Sequence, residues 1–174
     1  VEYGEASIED EHADTVRVMT IHKSKGLEFP IVIVAGMGKR FNMQDARSAV
    51  ALHAGMGVGL DAIDLGLRTK SPSIVKKVIQ KEEVLESLGE ELRVLYVALT
   101  RAKEKLIITG TLPRPEEKLE ESRMLQRSNQ KELSFGELSH AGTYWDWILP
   151  AVLGCGEDVP LEVNILHFED IVKE

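Results

Sequence analysis

Two short segments concentrate side chains that could act on an anion. His22-Lys23-Ser24-Lys25-Gly26 sets an imidazole, two ammonium groups and a hydroxyl beside a glycine. In open α/β sheets, ligands bind at the carboxyl ends of strands, and this segment directly follows an expected strand. The same composition also describes a solvated basic turn. The second segment is Arg101, at the end of a long apolar-striped helical pattern and just before an apolar run. A cation at a helix C-terminus gains about 0.3–1 kcal/mol from the dipole. A guanidinium held at a domain edge would alternatively suit phosphate oxygens carried by another domain, because its planar fork matches them.

Other chemistries find less support. The five histidines, at 12, 22, 53, 140 and 167, lack metal-ligand spacing. The single cysteine, Cys155, excludes an internal disulfide framework and a multi-cysteine zinc site, and fits a reducing, cytosolic compartment. No Ser-His-Asp arrangement can be argued from the sequence. Gly36-Met37-Gly38-Lys39-Arg40-Phe41 begins like a dinucleotide-binding fingerprint, but Phe41 stands where the third glycine belongs, so a turn is expected. Gly55-Met56-Gly57-Val58-Gly59 follows no expected strand and reads as a loop. No G-x-x-x-x-G-K-[ST] phosphate loop is present.

The elements that must position these residues follow from periodicity. Val16–Thr20 alternates apolar and polar and predicts a strand. Ile31–Ala35 is continuously apolar and β-branched between Pro30 and Gly36, predicting a strand buried on both faces. Residues 36–72 show no sustained period and predict an irregular insertion with short helical pieces. Ser73 is placed to cap a helix running to Thr100, whose stripe is Leu85, Leu88, Leu92, Leu95 and Leu99; Gly89 inside it is expected to divide it into two. Leu106–Thr109 predicts another buried strand. Residues 113–132 are polar and predict an exposed helix and linker. Tyr144–Leu149 predicts a short amphipathic helix that Pro150 helps end. Strand, connection, helix and strand imply an α/β layered domain.

Length and charge bound the answer. The chain has 174 residues, 43% hydrophobic and 29% charged, the proportions of one globular domain. No apolar run approaches the ~20 residues needed to span a membrane, and the acidic start lacks a secretion-signal pattern. The net charge of −8 is uneven: residues 1–14 hold six acids and no Lys or Arg, and the far end is also acidic. The centre is mildly basic, which leaves room there for an anionic ligand. The division expected is an acidic lead-in over 1–14, a core domain over 15–112 and a linker with a short helical region over 113–174.

Thr20-Ile21-His22-Lys23-Ser24-Lys25-Gly26-Leu27-Glu28-Phe29 resembles motif V of the UvrD-like superfamily 1 DNA helicases. Glu90-Glu91-Leu92-Arg93-Val94-Leu95-Tyr96-Val97-Ala98-Leu99-Thr100-Arg101-Ala102 resembles their motif VI. Both are long, occur in the family's order, and precede an apolar strand. Their wording and spacing are most similar to the AddA type of helicase–nuclease subunit in double-strand-break repair. The resemblance implies an α/β, RecA-like second motor domain, with a mostly parallel sheet flanked by helices and incomplete in itself. It implies that Thr20, His22, Lys23 and Lys25 lie along single-stranded DNA. Gly26 and Glu28 would approach ATP, with Glu28 at the ribose hydroxyl. Arg93 would support the nucleotide-side network, and Arg101 would be the arginine finger on the γ-phosphate. The partners implied are single-stranded and duplex DNA, the first RecA-like domain of the same parent chain, and a second helicase–nuclease subunit.

The family's Walker A lysine, Walker B acids and Gln motif belong to that first domain, and its nuclease carboxylates to a further one. None stands in this sequence, so ATP with Mg²⁺ would need the other domain, and the chain alone is expected to be inactive. A rival reading is a stand-alone nucleic-acid-binding or adaptor module with a RecA-like fold and no motor activity.

Overall fold

A computed structural model describes residues 15–44, 46, 48–126, 132–154 and 161–167. The acidic lead-in over 1–14 lies outside the described residues. The centre is a β-α-β unit: β1 (Phe29–Val34), α1 (Ile74–Leu99) and β6 (Ala102–Ile108). The two strands pair in parallel, Val32 opposite Leu106 and Val34 opposite Ile108. The register slips between Phe29 and Ile31, at Pro30. Proline has no N–H to give the ladder and is tolerated at such irregularities.

The alternation of β1 decides what each face does. Val34 is buried, and Val32, Leu106 and Ile108 pack with Leu88, Leu95 and Ala98 of α1. Ile31 and Ile33 point the other way and are 58% and 63% exposed. The strand expected to be buried on both faces is therefore covered on one, because α1 supplies only one layer. The strand expected over Val16–Thr20 does not form: these residues pair with no strand among those described, and Val16 and Val18 are exposed. β-branched alternation makes a strand only where a neighbour takes its hydrogen bonds.

α1 is capped as expected, Ser73 Oγ accepting from Lys76 N at 3.1 Å. It runs 26 residues without a break at Gly89. A mid-helix glycine costs roughly 0.5–1 kcal/mol, and the burial of Leu88 and Leu95 on either side holds the helix through it.

Within the stretch 36–72, residues 51–72 are better ordered than the sequence suggests. They form two antiparallel hairpins, β2 (Ala51–His53) with β3 (Gly57–Gly59), and β4 (Asp61–Asp64) with β5 (Thr69–Pro72). Side chains build both turns: His53 Nδ1 accepts from Gly55 N and Met56 N, and Asp64 Oδ1 accepts from Gly66 N and Leu67 N. Strands of three or four residues are too short to show a period. The hairpins dock on the start of α1 through Lys76, whose buried ammonium donates to Ala49 O at 2.7 Å and Asp61 Oδ1 at 2.8 Å. Gly59 permits the approach, since a Cβ there would lie 2.5 Å from Lys76 Cα.

Three helices follow among the described residues: α2 (Pro115–Gln126), α3 (Phe135–Ser139) and α4 (Trp145–Gly154). Pro150 lies within α4 rather than ending it. Burial of Trp147, Ile148 and Leu149 anchors the helix through the lost N–H. Phe41 packs edge-on to Tyr144 at 4.9 Å and against Trp147 at 5.0 Å. The Tyr144 hydroxyl donates to the Glu91 carboxylate of α1, and burial together with that contact raises its pKa. Lys118 of α2 meets Asp146 Oδ1 at 3.0 Å, while Gly142 N and Thr143 N donate to Oδ2, both at 2.9 Å. Burial works to raise the Asp146 pKa, but these donors outweigh it and hold the carboxyl below its ordinary value. The same contact raises Lys118.

Candidate functional site

The basic segment is built by its own backbone. Ile21–Ser24 is a single 3₁₀ turn, entered at Thr20, whose Oγ1 accepts from Lys23 N at 3.4 Å. Ile21 packs on the core, and Ser24, buried, donates from Oγ to Ile21 O at 2.7 Å. The inward residues thus fasten the turn and leave His22, Lys23 and Lys25 exposed. Lys25 N donates to His22 O at 3.3 Å, so these two residues stand one turn apart. Gly26 then takes φ +84°, a left-handed conformation in which side chains with a Cβ are strained. This reverses the chain into Leu27, Glu28 and β1.

Arg101 sits against this reversal. Phe29 N donates to Arg101 O at 3.0 Å, which starts the pairing of the two segments. The guanidinium makes three more bonds: Nε to Val97 O at 3.0 Å, Nη1 to Leu27 O at 2.9 Å and Nη2 to Thr100 Oγ1 at 2.9 Å. All three acceptors are uncharged, and no carboxylate pairs with Arg101 among the described residues. An arginine has five N–H donors, so one hydrogen on each Nη remains for a ligand. Arg101 is also a clamp between α1 and the loop at Leu27. The dipole therefore understates its structural part.

The UvrD-like helicase C-terminal domain family model matches residues 2–112, which contain the 3₁₀ turn, β1, α1, β6 and both hairpins. The chain belongs to the UvrD-like helicase C-terminal domain family. It is similar to the A subunit of the ATP-dependent helicase/nuclease of Lachnoclostridium phytofermentans, 51% identical over all 174 residues of the chain and 12% of that protein. It is 46% identical to the protein of that name from Acetivibrio thermocellus, over 88% of the chain and 12% of the relative. The Clostridium botulinum counterpart is 46% identical over 86% of the chain and 12% of its own length. The chain thus spans about one eighth of the curated relatives it matches.

Within this UvrD-like domain the motif residues are not all gathered. Arg101 and the loop through Gly26 and Leu27 are joined directly. Glu28 is exposed and faces Lys103 at 3.5 Å. Arg93, about two turns up α1, is exposed and pairs with Glu90. Thr20, His22, Lys23 and Lys25 form their own edge on the other side of Gly26 along the chain. Gly36–Lys39 is a turn, with Lys39 N donating to Gly36 O at 3.0 Å. Among the described residues no three His, Cys, Asp or Glu side chains are grouped as a metal would need. Two groups escaped the sequence reading: the Leu27 carbonyl and the Thr100 hydroxyl. A backbone acceptor leaves no mark on residue type. Thr100 could have been noticed as a hydroxyl adjoining a cation at a helix end.

Proposed function

We propose that this chain is the second RecA-like motor domain of an ATP-driven 3′→5′ DNA helicase, within a helicase–nuclease subunit of double-strand-break repair. The observation that carries the reading is the Arg101–Leu27 hydrogen bond at 2.9 Å, which joins the motif VI arginine to the motif V loop. Two N–H bonds of Arg101 are left to meet γ-phosphate oxygens presented by the first motor domain. There the arginine neutralises charge that develops as the β–γ bridging bond breaks, an effect worth about 10³–10⁵ in rate. Mg²⁺, which this chain's described carboxylates do not gather to hold, would come with ATP on that first domain and supply further neutralisation. Glu28 accepts from the ribose hydroxyl after leaving Lys103, with Gly26 giving the backbone room to approach. Arg93 steadies the nucleotide side of α1.

His22, Lys23 and Lys25, with the Thr20 hydroxyl, donate to the backbone of single-stranded DNA. Movement of that edge reaches Arg101 through Gly26 and Leu27. A second helicase–nuclease subunit and the duplex being unwound are the further partners, and the cytoplasm is the compartment.

The test is DNA-stimulated ATP turnover in a full-length subunit carrying this segment, compared with Arg101→Ala and with the 174-residue chain alone. The intact subunit is expected to turn over ATP, the variant to lose at least about 10³-fold, and the chain alone to show none. DNA binding by an intact subunit without ATP turnover would favour an adaptor module instead.

A further inference from the structure

We propose that Thr100 is a positioning residue that sets the plane of the Arg101 guanidinium. The inference rests on reading Arg101 as the donor to the nucleotide. Three acceptors fix that guanidinium, and they come from three places: the last turn of α1 (Val97 O), the loop after the 3₁₀ turn (Leu27 O) and the C-cap of α1 (Thr100 Oγ1). Two of the three are main-chain carbonyls, which any residue supplies. Thr100 is the one acceptor that depends on a side chain.

The hydroxyl is itself oriented. Thr100 Oγ1 donates to Tyr96 O at 2.9 Å, with Val97 O at 3.2 Å, so its proton is committed to the helix end. A lone pair is then left for Nη2. The β-branch adds stiffness at χ1. The result is a relay from the Tyr96 carbonyl through Thr100 Oγ1 to Arg101 Nη2, anchored on a helix whose neighbouring residues Leu95 and Ala98 are buried. Thr100 itself is exposed and lies outside the hydrophobic core. Its hydroxyl therefore contributes direction rather than burial. An arginine without it keeps its charge and two of its bonds, but its Nη2 end can swing about the Nε–Nη1 side. Catalytic groups displaced by about 1 Å can lose about 10²-fold in rate.

The experiment uses a full-length subunit carrying this segment, with Thr100→Val, Thr100→Ser and Arg101→Ala. Valine keeps the shape and removes the acceptor; serine keeps the acceptor. Thr100→Val is expected to lower kcat for ATP by about 10–100-fold, with KM within about twofold. Its affinity for ADP with aluminium fluoride, which mimics the transferring phosphoryl group, should fall by a similar factor while ADP affinity holds. Thr100→Ser should recover most of both losses. Unchanged kcat and unchanged mimic affinity in Thr100→Val, beside a collapse in Arg101→Ala, would overturn the positioning role alone. Loss in Thr100→Val that serine does not recover, or loss that reaches ADP binding equally, would make Thr100 merely structural and also overturn it. Normal turnover in Arg101→Ala would instead overturn the reading of Arg101.

Discussion

The two ends of α1 each carry a fixed cation, and the two are fixed in opposite ways. At the N-terminal end, Lys76 is buried against Asp61 and a carbonyl, with Lys70 Nζ reaching the same carboxylate at 3.1 Å. Its hydrogen bond to Asp61, and that of Lys70, hold the carboxyl below its ordinary pKa. A cation at a helix N-terminus opposes the dipole, and the carboxylate compensates. At the C-terminal end, Arg101 is held by two carbonyls and a hydroxyl, with no acid among the described residues. Lys76 is neutralised where it stands and fastens the hairpins. Arg101 is oriented without being neutralised, so its charge stays available to an incoming anion. A cation that meets an acid is spent on the fold; one that meets neutral acceptors is aimed.

The sharpest way to break this contrast is to remove each cation in turn. In a full-length subunit, Arg101→Ala should reduce ATP turnover by at least about 10³-fold, while Lys76→Met should leave turnover within a few-fold and lower the Tm. A turnover loss of similar size in both variants would show that the two cations differ only in location.

Stability of the chain gives the next largest effect. Arg101→Ala removes three hydrogen bonds from a half-buried group, and should cost about 1–3 kcal/mol in a denaturant titration. That exceeds the dipole contribution expected from sequence. A change under about 0.5 kcal/mol would mean the three bonds merely replace water.

The pair between α2 and α4 supplies a pH test at a site away from both ends. Asp146 is held below its ordinary value, so the unfolded chain binds more protons there. Its contribution is present above an unfolded pKa of about 3.9 and is lost as pH falls through the lower folded value. Lys118 is raised, so its contribution is present below an unfolded pKa of about 10.4 and is lost as pH rises through the higher folded value. Thermal melting of Asp146→Asn against the parent chain should differ most between those limits and converge as the pH falls below that lower folded value. A difference that stays constant well below that value would remove the ion pair from the account.

The smallest effect concerns the exposed edge. His22→Ala with Lys25→Ala should weaken single-stranded DNA binding a few-fold, and flatten the logarithmic salt dependence by roughly 0.7 for each phosphate no longer neutralised. Equal affinities at low salt would place the DNA elsewhere. The same pair of changes should leave the stability of the chain nearly unaltered, since both side chains lie outside the core.

Much of this was legible in the residues themselves. The Leu85–Leu99 stripe and Ser73 defined α1 because helix periodicity and capping are local properties. The order of the two motifs, each before an apolar strand, pointed to the α/β unit and to the family. What stayed hidden depended on neighbours. Val16–Thr20 has the alternation of a strand and, among the described residues, lacks a strand to pair with; Ile31 and Ile33 have the composition of a double-sided core and meet one layer. Residues 51–72 form hairpins through turns closed by His53 and Asp64, over strands too short for a period to register. Gly89 and Pro150, read locally as breaks, sit inside helices held by buried Leu88, Leu95, Trp147 and Ile148. Residue types alone could nominate Arg101 as a cation worth noticing. Only the folded chain decided what holds it, because the bond to Leu27 spans 74 residues and its acceptor is a carbonyl that any amino acid would have provided.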